Sequence, residues 1–600
     1  MPQYSVDSRS IDHVIGYIKD GQISIPEIQR PFVWDGSQIR DLIDSLYRGY
    51  PVGYLIVWQN PNMKDRNGET TLGKKIMIDG QQRVTAIMTA IVGLKVMDKD
   101  FNARVYKIAF NPYAQETEKF FEVQTPIIAK DKKWIADISE LFKPDFNAWT
   151  FVGEYCSANP DMNPSHLSEL IQKVIAIRNS PIGIIELNKE LTIDEVTEIF
   201  IRINSQGKSL TQADFVMSTI AADESFGGNK LRKAIDYFCH LATNHDFIYQ
   251  IERDTDFVHS EYFEQVKWIV DYENNIFIPS FDDVLRTAFM SQYYRAKLTN
   301  LTDLLHGRNF ETRSFEKEIM QDSFERLAIG VKHVMDKHTL QQFNETIKSA
   351  GFVFDRLIKG RMALDFAYTL FIRLRNDSAI DKLEVSRYVQ RWYVMSIITG
   401  RYASSPETQM ERDLKAINER GFTRFYEEVM ANLADTFWTI TLPERLHSSS
   451  STSPAFSVYL AAQCKMNDDS FLSSGSKVRD LLESADIHHI FPRAYLKEEG
   501  FNKTIQYNQV ANYVVLNKSV NIIIGAKAPC VYLKEVYDAC AVGGRSKYTM
   551  INDIDSYEAN CKANCIPTIL KDFDASRYEE FLEQRRLLMA QKIKAYFYSL

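Results

Sequence analysis

The sequence predicts a multidomain α+β protein with an N-terminal α/β domain, a helical middle and a separate C-terminal domain. Its 600 residues exceed the roughly 100–200 residues of a typical domain. Near the N-terminus, segments with the apolar spacing of strands alternate with segments that have the apolar spacing of helices. Residues 215–440 show helical spacing with few prolines or glycines. The serine-rich run 447–454 has the composition of a linker. We therefore expect domains at residues 1–220, 221–450 and 451–600.

The N-terminal domain is expected to alternate helices and strands. Apolar residues at helical spacing predict a helix over residues 39–46, and Gly49 ends this pattern. Residues 54–58 are apolar and aromatic, which favours a strand, and residues 75–78 predict a second strand. That second strand leads directly into the segment DGQQR at residues 79–83, after which an amphipathic helix follows. This segment therefore lies at a strand-to-helix junction.

The junction at residues 79–83 has the composition of an anion-binding site. Free backbone N–H groups at the start of a helix attract anions. Arg83 adds a fixed positive charge, and Asp79 can hold a metal ion or a sugar hydroxyl. The alternative is a capped helix in which Arg83 forms a structural ion pair. A polar turn after a predicted helix at residues 193–203 is a candidate for the same pocket; its residues are Arg202, Asn204 and Gly207.

Composition and charge argue against several classes of protein. No apolar run approaches the roughly 18–20 residues that cross a bilayer, and the N-terminus lacks a basic segment followed by an apolar one. We therefore expect a cytoplasmic protein without a membrane partner. The net charge of −8 argues against a protein that coats DNA non-specifically. Residues 473–548 differ in the sign of their charge from the chain as a whole, because they hold ten basic and seven acidic residues.

The cysteines do not suggest a disulfide framework. There are seven, they are widely scattered, and their number is odd. Four of them, Cys530, Cys540, Cys561 and Cys565, lie near the C-terminus, but their spacing is irregular for a zinc site. Buried free thiols are the expected state, and zinc binding is the alternative.

The most specific pattern is near the C-terminus. The segment DIHHIFP at residues 486–492 is followed by NYVVLNK at residues 512–518 and then by Asn521. Hydrolysis of a phosphodiester needs a base that activates water and a cation that neutralises developing charge. Adjacent histidines on a strand point to opposite faces, so His488 and His489 are expected to divide these roles between a metal ligand and a base. Asp486 is a candidate partner for the ligand.

This C-terminal pattern resembles the HNH, or ββα-metal, nucleases. The resemblance implies a two-stranded hairpin and a helix that hold one divalent metal ion, with Mg²⁺ or Mn²⁺ expected. Because His488 stands where many relatives have aspartate, a softer ion that favours imidazole is the alternative. By position, His489 would be the general base and His488 and Asn521 would be metal ligands. Asn512 would orient the base or the hairpin. Lys518 and Lys527 are candidate phosphate contacts, although solvated lysines are the common alternative.

The N-terminal segments resemble the ParB/sulfiredoxin-like domain of GmrS-type subunits, and the HNH segment resembles GmrD-type subunits. They are IPEIQRPFVW at residues 25–34, IDGQQR at residues 78–83 and FIRINSQGKSL at residues 200–210. The fused arrangement is similar to single-chain GmrSD-family type IV restriction enzymes. The resemblance implies a nucleoside triphosphate, GTP or ATP, bound and hydrolysed at a site whose residues are Gln29, Arg30, Asp79, Gly80, Gln81, Gln82 and Arg83.

The resemblance further implies a partner and a role. The substrate would be double-stranded foreign DNA carrying a modification, cut in phage defence, and some members of the family dimerise. Two alternatives stay open from the sequence. The first is an HNH nuclease that acts on unmodified DNA or RNA, as a toxin or a repair factor would. The second is a nucleotide-binding regulator whose HNH-like domain is inactive and only binds DNA.

Overall fold

The protein is a mixed α/β chain with a small sheet near its N-terminus and a largely helical remainder. The computed structural model describes residues 3–24, 34–58, 75–97, 103–115, 119–188, 191, 196, 199, 212–223, 225–274, 276–483 and 487–600. The chain divides into two units, one formed by Met1–Arg232 with Thr243–Gln250 and the other by Lys233–Ala242 with Ile251–Leu600.

The first unit is built on a five-stranded sheet with the order β1-β9-β3-β4-β2. β3 runs parallel to β9 and antiparallel to β4, whose register sets Asp79 opposite Ile56. Two short hairpins, β5–β6 and β7–β8, lie outside this sheet. The strands of this unit are β1 Tyr4–Ser10, β2 Ile23–Ser24, β3 Tyr54–Trp58, β4 Lys75–Asp79, β5 Val96–Met97, β6 Ala103–Arg104, β7 Ile108–Phe110, β8 Phe121–Val123 and β9 Pro181–Leu187.

The helices near the N-terminus follow the predicted pattern where they are described. The expected helix at residues 39–46 is confirmed as part of α2, which Asp35 begins with a reciprocal capping interaction with Gln38. The expected strands at residues 54–58 and 75–78 are confirmed as β3 and β4. The helix predicted at residues 193–203 lies largely outside the described residues. The helices that the structure describes up to residue 251 are α1 Ile11–Lys19, α2 Gly36–Tyr47, α3 Gln81–Ile87, α4 Ala148–Ala158, α5 Pro164–Ile175, α6 Gln212–Ala222, α7 Gly228–Thr243 and α8 Ile248–Ile251.

In its described residues, the second unit is helical apart from one hairpin. Its helices up to residue 465 are α9 Thr255–Val258, α10 Phe263–Lys267, α11 Phe281–Tyr293, α12 Leu298–Leu305, α13 Lys317–Met335, α14 Lys337–Ser349, α15 Arg361–Asn376, α16 Val385–Thr399, α17 Pro406–Arg420, α18 Phe422–Ala431, α19 Leu442–Arg445 and α20 Pro454–Lys465. These helices bury aromatic side chains against one another, as where Trp392 of α16 stacks on Phe366 of α15 at 5.8 Å between ring centroids. The predicted helical middle is therefore confirmed as a helical region.

The last part of the second unit surrounds the hairpin of β10 and β11 with helices. Its elements are α21 Val478–Glu483, β10 Ile487–His489, α22 Arg493–Glu498, α23 Thr504–Tyr507, β11 Tyr513–Val515, α24 Lys518–Ile524, α25 Pro529–Ala541, α26 Ile554–Ala563 and α27 Tyr578–Ser599. The serine-rich run is bonded to the hairpin region, because the Val510 N–H donates to the Ser448 carbonyl at 2.7 Å. Among the described residues, no helix has the length and apolarity that a membrane crossing requires.

Candidate functional site

The predicted C-terminal site is centred on an antiparallel hairpin followed by a helix. β10 pairs with β11 so that His488 lies opposite Val514 and His489 lies opposite Tyr513. α24 begins three residues after β11 ends, with Asn517 as its N-cap. The two histidines thus lie on the first strand of the hairpin, and Asn521 lies on the helix that follows its second strand. The short helices α22 and α23 lie between the two strands.

His489 is held by contacts on two sides. Its Nε2 lies 2.9 Å from the side-chain oxygen of Asn508, and its ring meets the Tyr513 ring edge to face at 5.2 Å. Burial lowers the pKa of the His489 imidazole below its usual 6.5, the hydrogen bond to Asn508 opposes this shift, and the positive charge of Arg493 adds to it. The imidazole is therefore oriented and biased toward its neutral form.

Asn512 closes the turn that follows His489. Its side chain is fully buried, and its oxygen accepts a hydrogen bond from the Phe491 N–H at 2.8 Å. Its amide nitrogen donates to the Phe491 carbonyl at 3.1 Å and to the Tyr507 carbonyl at 3.2 Å. One side chain thus joins the end of β10 to the segment that precedes β11. This is the contact set expected of a residue that orients the hairpin.

Two further residues support the hairpin and were not singled out from the sequence. Asn508 is the first, through its bond to His489. The second is Arg585 of α27, which is fully buried and donates to the carbonyls of Ala511 at 2.8 Å and Tyr513 at 2.6 Å. These two carbonyls flank Asn512. Burial lowers the pKa of the Arg585 guanidinium, and its bonds to carbonyls provide the compensation that a buried charge needs.

The candidate metal ligands form a sparse donor set. His488 and Asn521 are both partly buried and offer one imidazole nitrogen and one amide oxygen, which carry no charge. Within the described ranges there is no cluster of three or more His, Cys, Asp or Glu side chains suited to a metal ion. Asp486 lies outside the described residues. An imidazole nitrogen suits softer divalent ions, whereas an amide oxygen suits Mg²⁺ or Mn²⁺.

The two candidate phosphate-binding lysines differ in their surroundings. Lys518 is exposed at the start of α24. Lys527 is partly buried, and its ammonium donates to the carbonyls of Ile523 at 2.8 Å and Ile524 at 3.3 Å. Lys527 therefore stabilises the C-terminal end of α24, where unpaired carbonyls attract a cation.

The cysteines are free thiols. Cys540, Cys561 and Cys565 are buried and Cys530 is partly buried. Burial raises the pKa of the Cys561 thiol to about 12, so this sulfur stays protonated at neutral pH.

The predicted N-terminal junction is a tight strand-to-helix turn. Gly80 follows β4 with φ of 98°, in the left-handed region that glycine tolerates, and α3 starts at Gln81. A Cβ at Gly80 would lie 2.3 Å from Cδ2 of Leu55, so a side chain does not fit there. The sequence predicted this junction from the change between strand and helix spacing.

At the same junction, Arg83 and Asp79 face each other. The Arg83 guanidinium lies 3.8 Å from the Asp79 carboxylate and also donates to the Tyr54 carbonyl. Both side chains stay partly exposed, at 24% and 21% of their surface. Gln81 and Gln82 are partly buried in the first turn of α3. The other residues predicted for this pocket, Gln29, Arg30, Arg202, Asn204 and Gly207, lie outside the described residues.

Comparison with known proteins bears on the N-terminal third. Residues 11–221 match the family described as GmrSD restriction endonuclease, N-terminal domain. The match includes the junction at residues 79–83. The chain is also 22% identical to an uncharacterized protein of Methanocaldococcus jannaschii over 98% of this chain and 99% of that one.

Proposed function

We propose that this protein is a nucleotide-responsive, metal-dependent DNA endonuclease of phage defence that cuts modified foreign DNA. The observation that carries the proposal is the hairpin at residues 487–515, in which Asn508 and Asn512 hold the imidazole of His489 and the turn beside it. The match of residues 11–221 to the GmrSD restriction endonuclease N-terminal domain supports the same role.

His489 is proposed to be the general base. The Asn508 oxygen can only accept a hydrogen bond, so Nε2 carries the hydrogen and Nδ1 is left to take a proton from water. The lowered pKa of His489 keeps this nitrogen unprotonated at neutral pH. The water thus becomes a nucleophile toward the scissile phosphate.

His488 and Asn521 are proposed to hold the divalent cation, Mg²⁺ or Mn²⁺. When bound, such a cation neutralises charge on the scissile phosphate and the leaving oxygen. The protein would present one imidazole nitrogen from β10 and one amide oxygen from α24. Both donors are neutral, so affinity for the cation is expected to be low.

The N-terminal junction is proposed to bind a nucleoside triphosphate, GTP or ATP. Gly80 lets the chain turn sharply from β4 into α3. The first backbone N–H groups of a helix have no acceptor within the helix, so they can donate to an anion. Arg83 would supply the positive charge of this site, and it forms an ion pair with Asp79 in the structure. Nucleotide binding is expected to compete with this ion pair.

Cleavage assays on a panel of DNA duplexes test the proposed function. The panel contains plain DNA, DNA with modified bases and the corresponding RNA, each with and without GTP, ATP and divalent metal. We expect metal-dependent cutting that is strongest on modified DNA and responds to one nucleotide. Equal cutting of plain DNA or RNA would favour a toxin or repair nuclease, and binding without cutting would favour a regulator.

Removing a metal ligand should raise the metal concentration that cutting requires. His488→Ala and Asn521→Ala each delete one of two neutral donors, so half-maximal cutting should move from the millimolar range, an order-of-magnitude expectation, to higher Mn²⁺. Titration of Mn²⁺ at fixed DNA measures this shift, and excess EDTA should abolish cutting in every variant.

His338→Ala is the matched control for metal dependence. His338 is an exposed histidine of α14 in the same unit, and its loss should leave the Mn²⁺ requirement unchanged. The ligand assignment fails when His488→Ala and Asn521→Ala titrate with Mn²⁺ as His338→Ala does, or when the unsubstituted protein cuts DNA in excess chelator.

Removing the cation of the N-terminal junction should abolish nucleotide binding. Arg83→Ala deletes the fixed charge beside α3, and binding of GTP and ATP is measured by calorimetry. Arg48→Ala is a close control, because Arg48 also pairs with an aspartate one helical turn away and has a similar exposure, 26% against 24% for Arg83. Retained nucleotide binding in Arg83→Ala, or no binding by the unsubstituted protein, would remove this site from the proposal.

A further inference from the structure

Two cations share one tyrosine ring beside the hairpin. Arg493 starts α22, and its guanidinium carbon lies 5.2 Å from the centroid of the Tyr507 ring. Lys497 lies one helical turn later, with Nζ 5.4 Å from the same centroid. Both side chains are exposed, so both charged groups can contact a ligand in solution.

Among the described residues, no carboxylate forms an ion pair with Arg493 or Lys497. Two like charges one turn apart on a helix repel each other. The tyrosine face attracts each cation but does not remove this repulsion. An anion placed between them would relieve it.

The ring is fixed to the same contacts that hold the candidate base. Tyr507 is buried, and its carbonyl accepts a hydrogen bond from the Asn512 amide at 3.2 Å. The next residue, Asn508, contacts the His489 ring. Arg493 also follows His489 by four residues, and its charge acts on the His489 imidazole. The cation pair therefore lies in a fixed place beside the proposed cutting centre.

We propose that Arg493 and Lys497 bind a backbone phosphate of the DNA substrate next to the bond that is cut. A guanidinium can hold two phosphate oxygens at once, and an ammonium adds a point charge. This inference rests on the proposed nuclease function and adds residues beyond Lys518 and Lys527. Arg493 and Lys497 are better suited to bind a phosphate than Lys527 is, because the Lys527 ammonium already donates to two carbonyls.

The salt dependence of DNA binding tests this contact. The full-length protein is titrated with a fluorescently labelled plain DNA duplex in EDTA over a range of NaCl, because phosphate contacts do not depend on base modification. The logarithm of the DNA affinity falls as the logarithm of the salt concentration rises. Arg493→Gln and Lys497→Gln should each make this fall less steep by about one unit of slope, the expected effect of one lost phosphate contact. Arg493→Lys should keep the slope of the unsubstituted protein.

Lys415→Gln is the matched control. Lys415 is an exposed lysine of α17 in the same unit, at 75% of its side-chain surface, and its loss should leave the slope unchanged. Thermal melting checks that each variant is folded. If Arg493→Gln does not fold, the salt slopes of Lys497→Gln and Arg493→Lys test the phosphate contact. The inference is overturned when the unsubstituted protein cuts DNA and the glutamine variants keep its salt slope. If the unsubstituted protein neither binds nor cuts DNA, the proposed function itself fails.

Discussion

Replacing His489 by alanine should reduce DNA cutting about 10²- to 10⁴-fold, the usual cost of losing a general base. The substitution leaves His488, Asn521 and the N-terminal junction in place. DNA binding and nucleotide hydrolysis should therefore stay close to those of the unsubstituted protein. Single-turnover cleavage at saturating DNA measures the rate, and fluorescence titration in EDTA measures the binding.

A graded variant separates a role in catalysis from a role in folding. Asn508→Ala keeps the imidazole but removes the acceptor 2.9 Å from Nε2, so cutting should fall less than in His489→Ala. Asn502→Ala removes an exposed asparagine from the same segment and should cut DNA normally. The base assignment is wrong if His489→Ala cuts at the unsubstituted rate. It is also wrong if binding, nucleotide hydrolysis and melting temperature all fall together with cutting.

The sequence predicted the elements whose cause is local. Apolar spacing predicted α2, β3 and β4, and the change of spacing after β4 predicted the junction with α3. Each of these signals lies within a few residues of the structure it produces. The resemblance to HNH nucleases implied that His489 would lie on a hairpin strand and Asn521 on a helix. The two residues lie on β10 and α24.

The contacts that complete the site could not be predicted in this way. Asn508 contacts His489 from 19 residues away, and that pairing depends on how α23 and the following turn are placed. Arg585 lies 72 residues beyond its acceptor Tyr513. A charged residue on a helix is ordinarily expected to face water, so spacing alone gave no reason to place it in the core. Only the three-dimensional arrangement shows that its partners are carbonyls.

Replacing Asn512 by alanine should destabilise the hairpin by about 2–4 kcal/mol, because buried polar groups left without a partner cost about 1–3 kcal/mol each. The substitution leaves the Phe491 N–H without its acceptor and the Phe491 carbonyl without the donated amide hydrogen. It also removes the hydrogen bond to the carbonyl of Tyr507. Tyr507 is the residue before Asn508, whose side chain contacts His489. Cutting should therefore fall along with stability, although no proposed reacting group has been changed.

Hydrogen exchange locates this effect, since one unfolding free energy does not describe a chain of several units. Peptides that cover residues 487–491 and 507–515 should exchange faster in Asn512→Ala, while α13 and α16 keep their protection. Asn344→Ala is the matched control, because Asn344 is also a buried asparagine of the same unit but donates one hydrogen bond, to the Tyr272 hydroxyl at 3.2 Å. It should loosen the helices around it and leave cutting and hairpin exchange unchanged. Unchanged exchange at residues 487–491 in Asn512→Ala would mean that Asn512 does not hold the turn beside His489, and the proposed origin of the oriented base would have to be abandoned.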